Sequence, residues 1–530
     1  MKLTSTIAIT LTIMLAAFLA GCREEPVVVA EDDDPAEVLD SLEIKLAWVS
    51  YRFNMERWQS LTGQAADSLE FFDRLRRDLL DDSRTYGVLK DARSKLGDEL
   101  YQRRLELLLP ELVRANVDAQ DITSGVADSL ARFFETEWRR VDGRVTTKSD
   151  AKQAMIYARR RLDREAAYRG LSAPGELVAG QVGRLVRLRN QVARRLGYND
   201  YLSLYARANQ IDLNDYESLI QRVDSLTRPA YERLLSELRS GFGSNDFEVW
   251  DFANRFANTL TESDGYFPVD SQLVFARRAF DSLGFNLDKL PIYLNLDEAA
   301  GNSADLTIIT VHPPDDVRIV GHLANGYESF RLLTEKLGVA VQASAVDQHE
   351  FLLTNLTEGG WDLTTSAVFE RFFTRPSWLR GNTGMSPGTI ERFHTALRAL
   401  ELLHLRLELV DALFEYEAYR SAAGDLNELY WELFERFLDL PAHRDVQPWA
   451  GKAELCNNPM AFYRRLAGEA AGAQTWHYLD QHYTESAASE LGAFLRHNYF
   501  RFGTRYEWTD LVERATGQPL TTDYLAESFR

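Results

Sequence analysis

Apolar side chains recur every three or four residues along most of the chain, which is the period of an amphipathic helix. The pattern is clear from Leu105 to Leu112 and in the proline-free stretch 388–440. One segment differs, because two short runs rich in β-branched residues, Leu306–Val311 and Val317–Val320, flank a proline-containing turn. The chain is therefore predicted to be mainly helical, with one small β hairpin.

The N-terminal segment has the composition of a targeting signal. Lys2 precedes an apolar run, 7–19, that is too short to span a membrane as a stable helix, and Leu19-Ala20-Gly21-Cys22 follows. This segment resembles a bacterial lipoprotein signal, which implies cleavage before Cys22 and acylation of that cysteine. We therefore expect residues 1–21 to be a signal peptide and the lipid on Cys22 to anchor the protein without crossing the membrane.

The mature chain is predicted to consist of a tether and one body. Residues 22–40 are acidic and lack aromatic side chains, which indicates a solvated tether, and residues 41–530 are expected to form a helical body. Arg23, rather than an aspartate, follows the cysteine. By resemblance to sorting rules in bacteria with two membranes, this favours the outer membrane. We expect a lipid-anchored protein of the bacterial cell envelope that faces the periplasm.

Composition narrows the classes of partner and cofactor. The 530 residues include 60 Lys and Arg against 80 Asp and Glu, a formal net charge of −20, so repulsion from phosphates argues against nucleic acid. The 2 cysteines, Cys22 and Cys456, exclude a cysteine-rich zinc site, and Cys456 is expected to be a buried apolar residue. Any metal ligands would be histidines and carboxylates.

The histidines form no recognisable metal motif, because H-E-x-x-H does not occur. Glu391 and Glu401 each precede a histidine by three residues, His394 and His404, a spacing similar to that of di-iron bundles. Both pairs are predicted to lie on one helix, about 15 Å apart along its axis. They therefore cannot converge on one metal ion.

The helix predicted after the hairpin carries the most informative pattern. The hairpin ends in Asp316–Ile319, with the sequence D-V-R-I, and the helix contains Glu335-Lys336-Leu337-Gly338-Val339-Ala340. These residues resemble the angiotensin-converting-enzyme-like zinc peptidases and their oligopeptidase relatives, in which such a strand precedes an L-x-H-E-x-G-H-A helix. The resemblance places Glu335 at the first zinc histidine, Lys336 at the glutamate base and Val339 at the second histidine.

Other segments resemble the same family in the same order. The stretch from Leu188 to Tyr201 resembles its R-N-x-x-A-R-x-L-G-Y-x-N-Y helix end, and the stretch from Tyr506 to Tyr524 resembles its closing segments. The third zinc ligand of the family falls on Leu363, and a shift of one residue would put Asp362 there. The tyrosine that stabilises the family's transition state falls on Arg465.

The resemblance implies a two-lobed, zincin-like helical bundle that encloses a deep cleft, with the catalytic groups lost. Zinc in a peptidase needs three converging N or O donors and a carboxylate for its bound water, and neither Val339 nor Leu363 carries a lone pair. We therefore expect no metal cofactor. The alternative hypothesis is an active zinc-dependent peptidyl-dipeptidase or oligopeptidase, with a catalytic site that the family resemblance does not reveal.

The leading hypothesis is a non-catalytic, peptidase-like lipoprotein that keeps its cleft to bind a peptide or protein partner. Strand 306–311 or strand 317–320 could pair with an extended peptide through main-chain hydrogen bonds. Arg318 and Lys336 are candidate cleft groups for a carboxylate-bearing ligand. A further alternative is a structural envelope protein in which side chains fill the former cleft.

Overall fold

The computed structural model describes residues 33–135, 139–141, 144–146, 148–242, 246–296, 306–354, 361–420, 424–484 and 488–529. Within these ranges the protein is mainly helical, as the sequence predicted. Cys22 and the expected signal peptide lie outside the described residues. None of the described helices combines the length and the apolar character needed to cross a membrane.

Helices follow one another with few interruptions. The helices before the sheet are α1 (Pro35–Leu61), α2 (Leu69–Leu80), α3 (Ser83–Leu89), α4 (Glu99–Asp118), α5 (Ser124–Glu135), α6 (Lys148–Tyr157), α7 (Arg161–Arg195), α8 (Tyr201–Ala208), α9 (Leu213–Phe242), α10 (Val249–Phe252), α11 (Ala257–Asp264) and α12 (Val269–Ser282). The helices after it are α13 (Tyr327–Ser344), α14 (Phe351–Thr354), α15 (Trp361–Phe373), α16 (Pro376–Thr383), α17 (Pro387–Arg420), α18 (Leu426–Leu438), α19 (Ala453–Asn457), α20 (Ala461–His482), α21 (Ala488–Asn498), α22 (Trp508–Thr516) and α23 (Asp523–Glu527).

The predicted hairpin is part of a small mixed sheet. The strands are β1 (Arg139–Val141), β2 (Arg144–Thr146), β3 (Ile292–Asn295), β4 (Thr307–His312) and β5 (Asp316–Val320). Strands β4 and β5 pair antiparallel, as predicted, while β3 pairs parallel with the other side of β5. The sheet order is therefore β3-β5-β4, and β1 and β2 form a separate antiparallel pair.

The folded body starts earlier than the sequence predicted. The Asp34 carboxylate accepts a hydrogen bond from the Ala36 amide at 3.0 Å, and Pro35 occupies the first helical position. An acidic cap followed by proline is a favoured start for a helix. Leu39 is fully buried. The last residues of the expected tether, 35–40, therefore belong to α1, and the body does not begin at residue 41.

Two large hydrophobic clusters form the core. One contains apolar side chains of α7, α8, α9 and α18, and the other contains side chains of α12, α13, α15, α21 and the sheet. Helices α17 and α20 contribute to both clusters, with Phe393 and Leu479 in the second and Leu409 and Leu466 in the first. These two helices therefore connect the two halves of the core.

Candidate functional site

Two glycines set the close packing of α13, α15 and α20. A Cβ atom at Gly338 of α13 would lie 2.4 Å from the Phe369 ring, and one at Gly472 of α20 would lie 2.4 Å from the Ala367 Cβ. Phe369 and Ala367 both belong to α15, so this helix lies between the other two. The packing brings together the three helices that carry the positions selected by the family resemblance, although these helices are far apart along the chain.

Glu335 and Lys336 form an ion pair with each other. Lys336 Nζ lies 2.8 Å from Glu335 Oε1, and Arg331 Nη1 lies 3.3 Å from Glu335 Oε2. Asp362 on α15 interacts electrostatically with both Lys336 and Glu335, and burial raises the pKa of its carboxyl group. The Glu335 and Lys336 side chains keep 23% and 25% of their surface exposed, so both reach solvent.

These residues do not fit a zinc ion. Val339 is only 8% exposed and packs in the core, Leu363 is half-buried, and neither has a donor atom. Glu335 is already shared between two cations, which oppose the binding of a third positive charge. Among the described residues, no three His, Cys, Asp or Glu side chains are placed to hold a metal ion together.

Arg465, which the sequence resemblance aligns with a tyrosine, is held by carboxylates. Its guanidinium lies 2.5 Å from a Glu454 oxygen and 3.6 Å from a Glu408 oxygen. Glu408 also accepts from His404, with 3.4 Å between His404 Nε2 and Glu408 Oε1, and this hydrogen bond raises the pKa of His404. Burial raises the pKa of Glu469, one helical turn further along α20.

A stripe of ionisable side chains on α17 faces these groups, and the sequence analysis noted only two of them, Glu401 and His404, for their spacing. The stripe consists of Glu401, His404, Glu408, Asp411 and Glu415. Its spacing of three and four residues puts all five on one face of the helix. Charged residues at this period within a helix that is buried along most of its length are a signal that could have indicated the site.

We call the connected set the ionisable cluster. Its members are linked by the ion pairs above and by electrostatic contacts between α13, α15, α17 and α20. They are Glu328, Arg331, Glu335, Lys336, Asp362, Glu370, Arg371, Glu401, His404, Glu408, Asp411, Lys452, Glu454, Arg465 and Glu469. Carboxylates outnumber cations in this set, so its net charge is negative when all are ionised.

The cluster combines access to water with strong desolvation. The His404 and Glu469 side chains keep 75% and 39% of their surface exposed. Nevertheless, burial raises the pKa of Glu469, and burial together with the nearby Glu370 raises the pKa of Glu401 to about 7. Exposed surface and a desolvating environment therefore coexist in the ionisable cluster.

Arg318 lies on the sheet and not in the ionisable cluster. Its guanidinium donates to both Asp316 oxygens, at 2.8 and 2.7 Å, and this contact raises its pKa. It also stacks over the Trp58 and Tyr293 rings, at 5.1 and 5.7 Å from their centroids. Arg318 and Lys336, the two candidate cations, are therefore both neutralised by a carboxylate and do not share one site.

The sheet order decides which strand has an edge for a peptide. Strand β5 is paired on both sides, so the expectation that 317–320 could accept a further strand is wrong. Strand β4 is an edge strand, and Asn54 Nδ2 of α1 donates to its Thr310 carbonyl at 2.9 Å. Peptide pairing along the remaining edge of β4 stays a prediction.

The other sequence predictions concern single residues. Both Glu-x-x-His pairs lie on α17, as predicted, and His394 Nε2 is 2.7 Å from the carbonyl oxygen of Thr374, just after the end of α15. Cys456 is 2% exposed, which confirms a buried cysteine, and burial raises the pKa of its thiol to about 12, which disfavours the reactive thiolate.

Comparison with models of protein families finds no match, and comparison with curated proteins finds none that is significantly similar.

Proposed function

We propose that the protein is a non-catalytic, peptidase-like lipoprotein of the bacterial envelope, in which the ionisable cluster lines a deep cleft between two lobes. The observation that carries this proposal is the ion pair between Glu335 and Lys336. The pair occupies the positions that resemble a zinc ligand and the general base. Without these groups, no bound water can be activated there.

The cleft supports binding better than it supports a filled, structural interior. A structural core would exclude water, whereas His404, Glu469 and Lys336 all keep exposed surface within the cluster. Buried charges that are retained without a structural need are costly, since each ion loses its hydration. Their retention in a solvated recess favours a role in recognising a ligand.

We expect the ligand to be a peptide or protein segment with basic groups. Lys336 and Arg465 are each paired with a carboxylate, so they offer little attraction to a further anion. Glu370 and Glu401, in contrast, have no ion-pair partner within 4.0 Å among the described residues; burial raises the pKa of both, and repulsion adds to this, from Glu469 at Glu370 and from Glu370 at Glu401. A lysine, arginine or N-terminal amine placed between them would relieve this repulsion.

The first experiment measures metal content and binding on the same purified full chain. After dialysis against trace zinc, we expect well below one zinc per chain and no cleavage of a mixed peptide library. Fluorescence anisotropy should show tighter binding of a lysine-rich peptide than of a glutamate-rich peptide of equal length. Glu469→Gln should weaken that binding several-fold, while Glu432→Gln, on the exposed face of α18, should leave it unchanged.

The alternatives give different results. About one tightly held zinc per chain with chelator-sensitive cleavage would establish an active metallopeptidase and overturn the proposal. Absence of binding by both peptides, with no zinc, would favour a structural envelope protein. Acylation of Cys22 is tested separately, by the mass of the N-terminal peptide from protein made in a bacterium with two membranes.

A further inference from the structure

The first two helices expose a group of large apolar side chains on one surface. Ile44, Trp48 and Tyr51 are 71%, 47% and 40% exposed, and their spacing of four and three residues places them on one face of α1. Phe71 of α2 is 60% exposed. Trp48 and Phe71 both pack edge-on against Phe72, with ring centroids 5.8 and 5.2 Å apart, so they belong to one surface.

Tyr293 of β3 extends the same surface. It is 55% exposed, and its ring centroid lies 5.7 Å from the guanidinium carbon of Arg318, which also interacts with Tyr51. We call Ile44, Trp48, Tyr51, Phe71 and Tyr293 the aromatic patch. All the large aromatic side chains that are exposed among the described residues belong to it. Such clustering marks an interaction surface, whereas single exposed apolar residues do not.

We propose that the aromatic patch docks onto the surface of the lipid bilayer to which the N-terminus is attached. Tryptophan and tyrosine favour the boundary between lipid and water, because their rings are apolar and each carries one polar group. Lys45 and Arg52 are exposed next to the patch on α1 and provide positive charge for lipid phosphates.

The length of chain before α1 identifies the bilayer as the occupant. This argument rests on the proposed attachment at Cys22. Between Cys22 and Asp33 the chain can span roughly 40 Å when fully extended. Trp48 lies about 20 Å from the start of α1 along the helix axis. The membrane surface is therefore always within reach of the patch, and this proximity makes even a weak contact effective.

The aromatic patch would act together with the acyl anchor on Cys22 rather than replace it. Apolar side chains that enter the headgroup region contribute roughly 25 cal/mol for each Å² removed from water. That contribution is small for a free protein but sufficient to orient a tethered one. Docking through α1 and α2 would hold the body in one orientation relative to the membrane.

The test uses the full chain reconstituted in vesicles of phosphatidylethanolamine and phosphatidylglycerol. Acylation of Cys22 would attach it and would also block that thiol from the label. A fluorescent label is placed on Trp48→Cys or Phe71→Cys, and on Leu177→Cys as a control, since Leu177 is 73% exposed on a different helix. The native Cys456 is 2% exposed and so takes up little label. Quenching by brominated lipid chains is compared with quenching by iodide in solution.

Docking predicts that labels at positions 48 and 71 are quenched several-fold more by brominated lipid than the label at position 177, and less by iodide. Equal iodide quenching at all three positions, in protein that floats with the vesicles, would overturn the docking proposal alone. Protein that does not float would overturn it together with the attachment. Neither result depends on peptide binding, which is measured separately.

Discussion

Glu415 provides a quantitative test of how the ionisable groups on α17 are placed. Its side chain is fully buried. Oε1 accepts a hydrogen bond from the Met460 amide at 2.9 Å, next to the start of α20, and Oε2 lies 3.4 Å from the Tyr216 hydroxyl. The perturbation is Glu415→Gln, which keeps an acceptor for the amide but cannot ionise. The Tyr216 hydroxyl already donates to the Ala412 carbonyl, so its oxygen can accept from the new amide.

Burial raises the pKa of Glu415 to about 7. The ordinary value in an unfolded chain is about 4.3. Because the folded protein holds this proton more tightly, ionisation costs nothing below the unfolded pKa, and the free energy of unfolding falls as the pH rises through 7. At about 1.4 kcal/mol for each pH unit between the two values, the full cost above pH 8 is about 4 kcal/mol, and about 3 kcal/mol of it develops between pH 5 and pH 8.5.

Urea denaturation of both proteins at about pH 5 and about pH 8.5 measures the effect. The free energy of unfolding of Glu415→Gln, relative to the wild type, should increase by about 3 kcal/mol between the two pH values. Glu432→Gln is the control, because this exposed carboxylate is solvated in both states. A difference that stays constant with pH would show that Glu415 ionises normally and would refute the reasoning.

Three further predictions concern the core and the cluster. In the wild type, the buried Arg164 guanidinium lies 2.6 Å from the Asp251 carboxylate. Asp251→Asn removes this charge partner and should lower the free energy of unfolding in urea by about 3–5 kcal/mol. An unchanged urea midpoint would contradict this. Gly472→Ala should lose about 1–3 kcal/mol through overpacking, whereas Gly180→Ala, exposed within α7 with nothing near its Cβ, should gain up to about 1 kcal/mol. Equal effects at the two glycines would argue against the close helix contact. Because burial raises the pKa of Glu401 to about 7, anisotropy should show cationic peptide binding strengthening several-fold from about pH 6 to about pH 8 in the wild type, and clearly less in Glu401→Gln, where His404 still loses its positive charge.

The identity of the residues at a few positions was enough to predict what the site cannot do. Val339 and Leu363 have no donor atoms in any fold, so their side chains exclude zinc ligation at these positions without structural information. The role of Lys336 was harder to predict. Whether a cation is free for a ligand depends on its neighbours, and here Glu335 already neutralises it.

The sequence by itself determined the local structure of this protein. The helical period and the proline-containing turn of the hairpin follow from residues close together in the chain, whose spacing sets which side chains share a face. Only the tertiary structure decided the pairing of β3 with β5, the meeting of α13, α15, α17 and α20 in one ionisable cluster, and the exposure of Trp48 beside Tyr293. These depend on contacts between distant segments, and many arrangements of helices would satisfy the same local pattern until side-chain packing selects one.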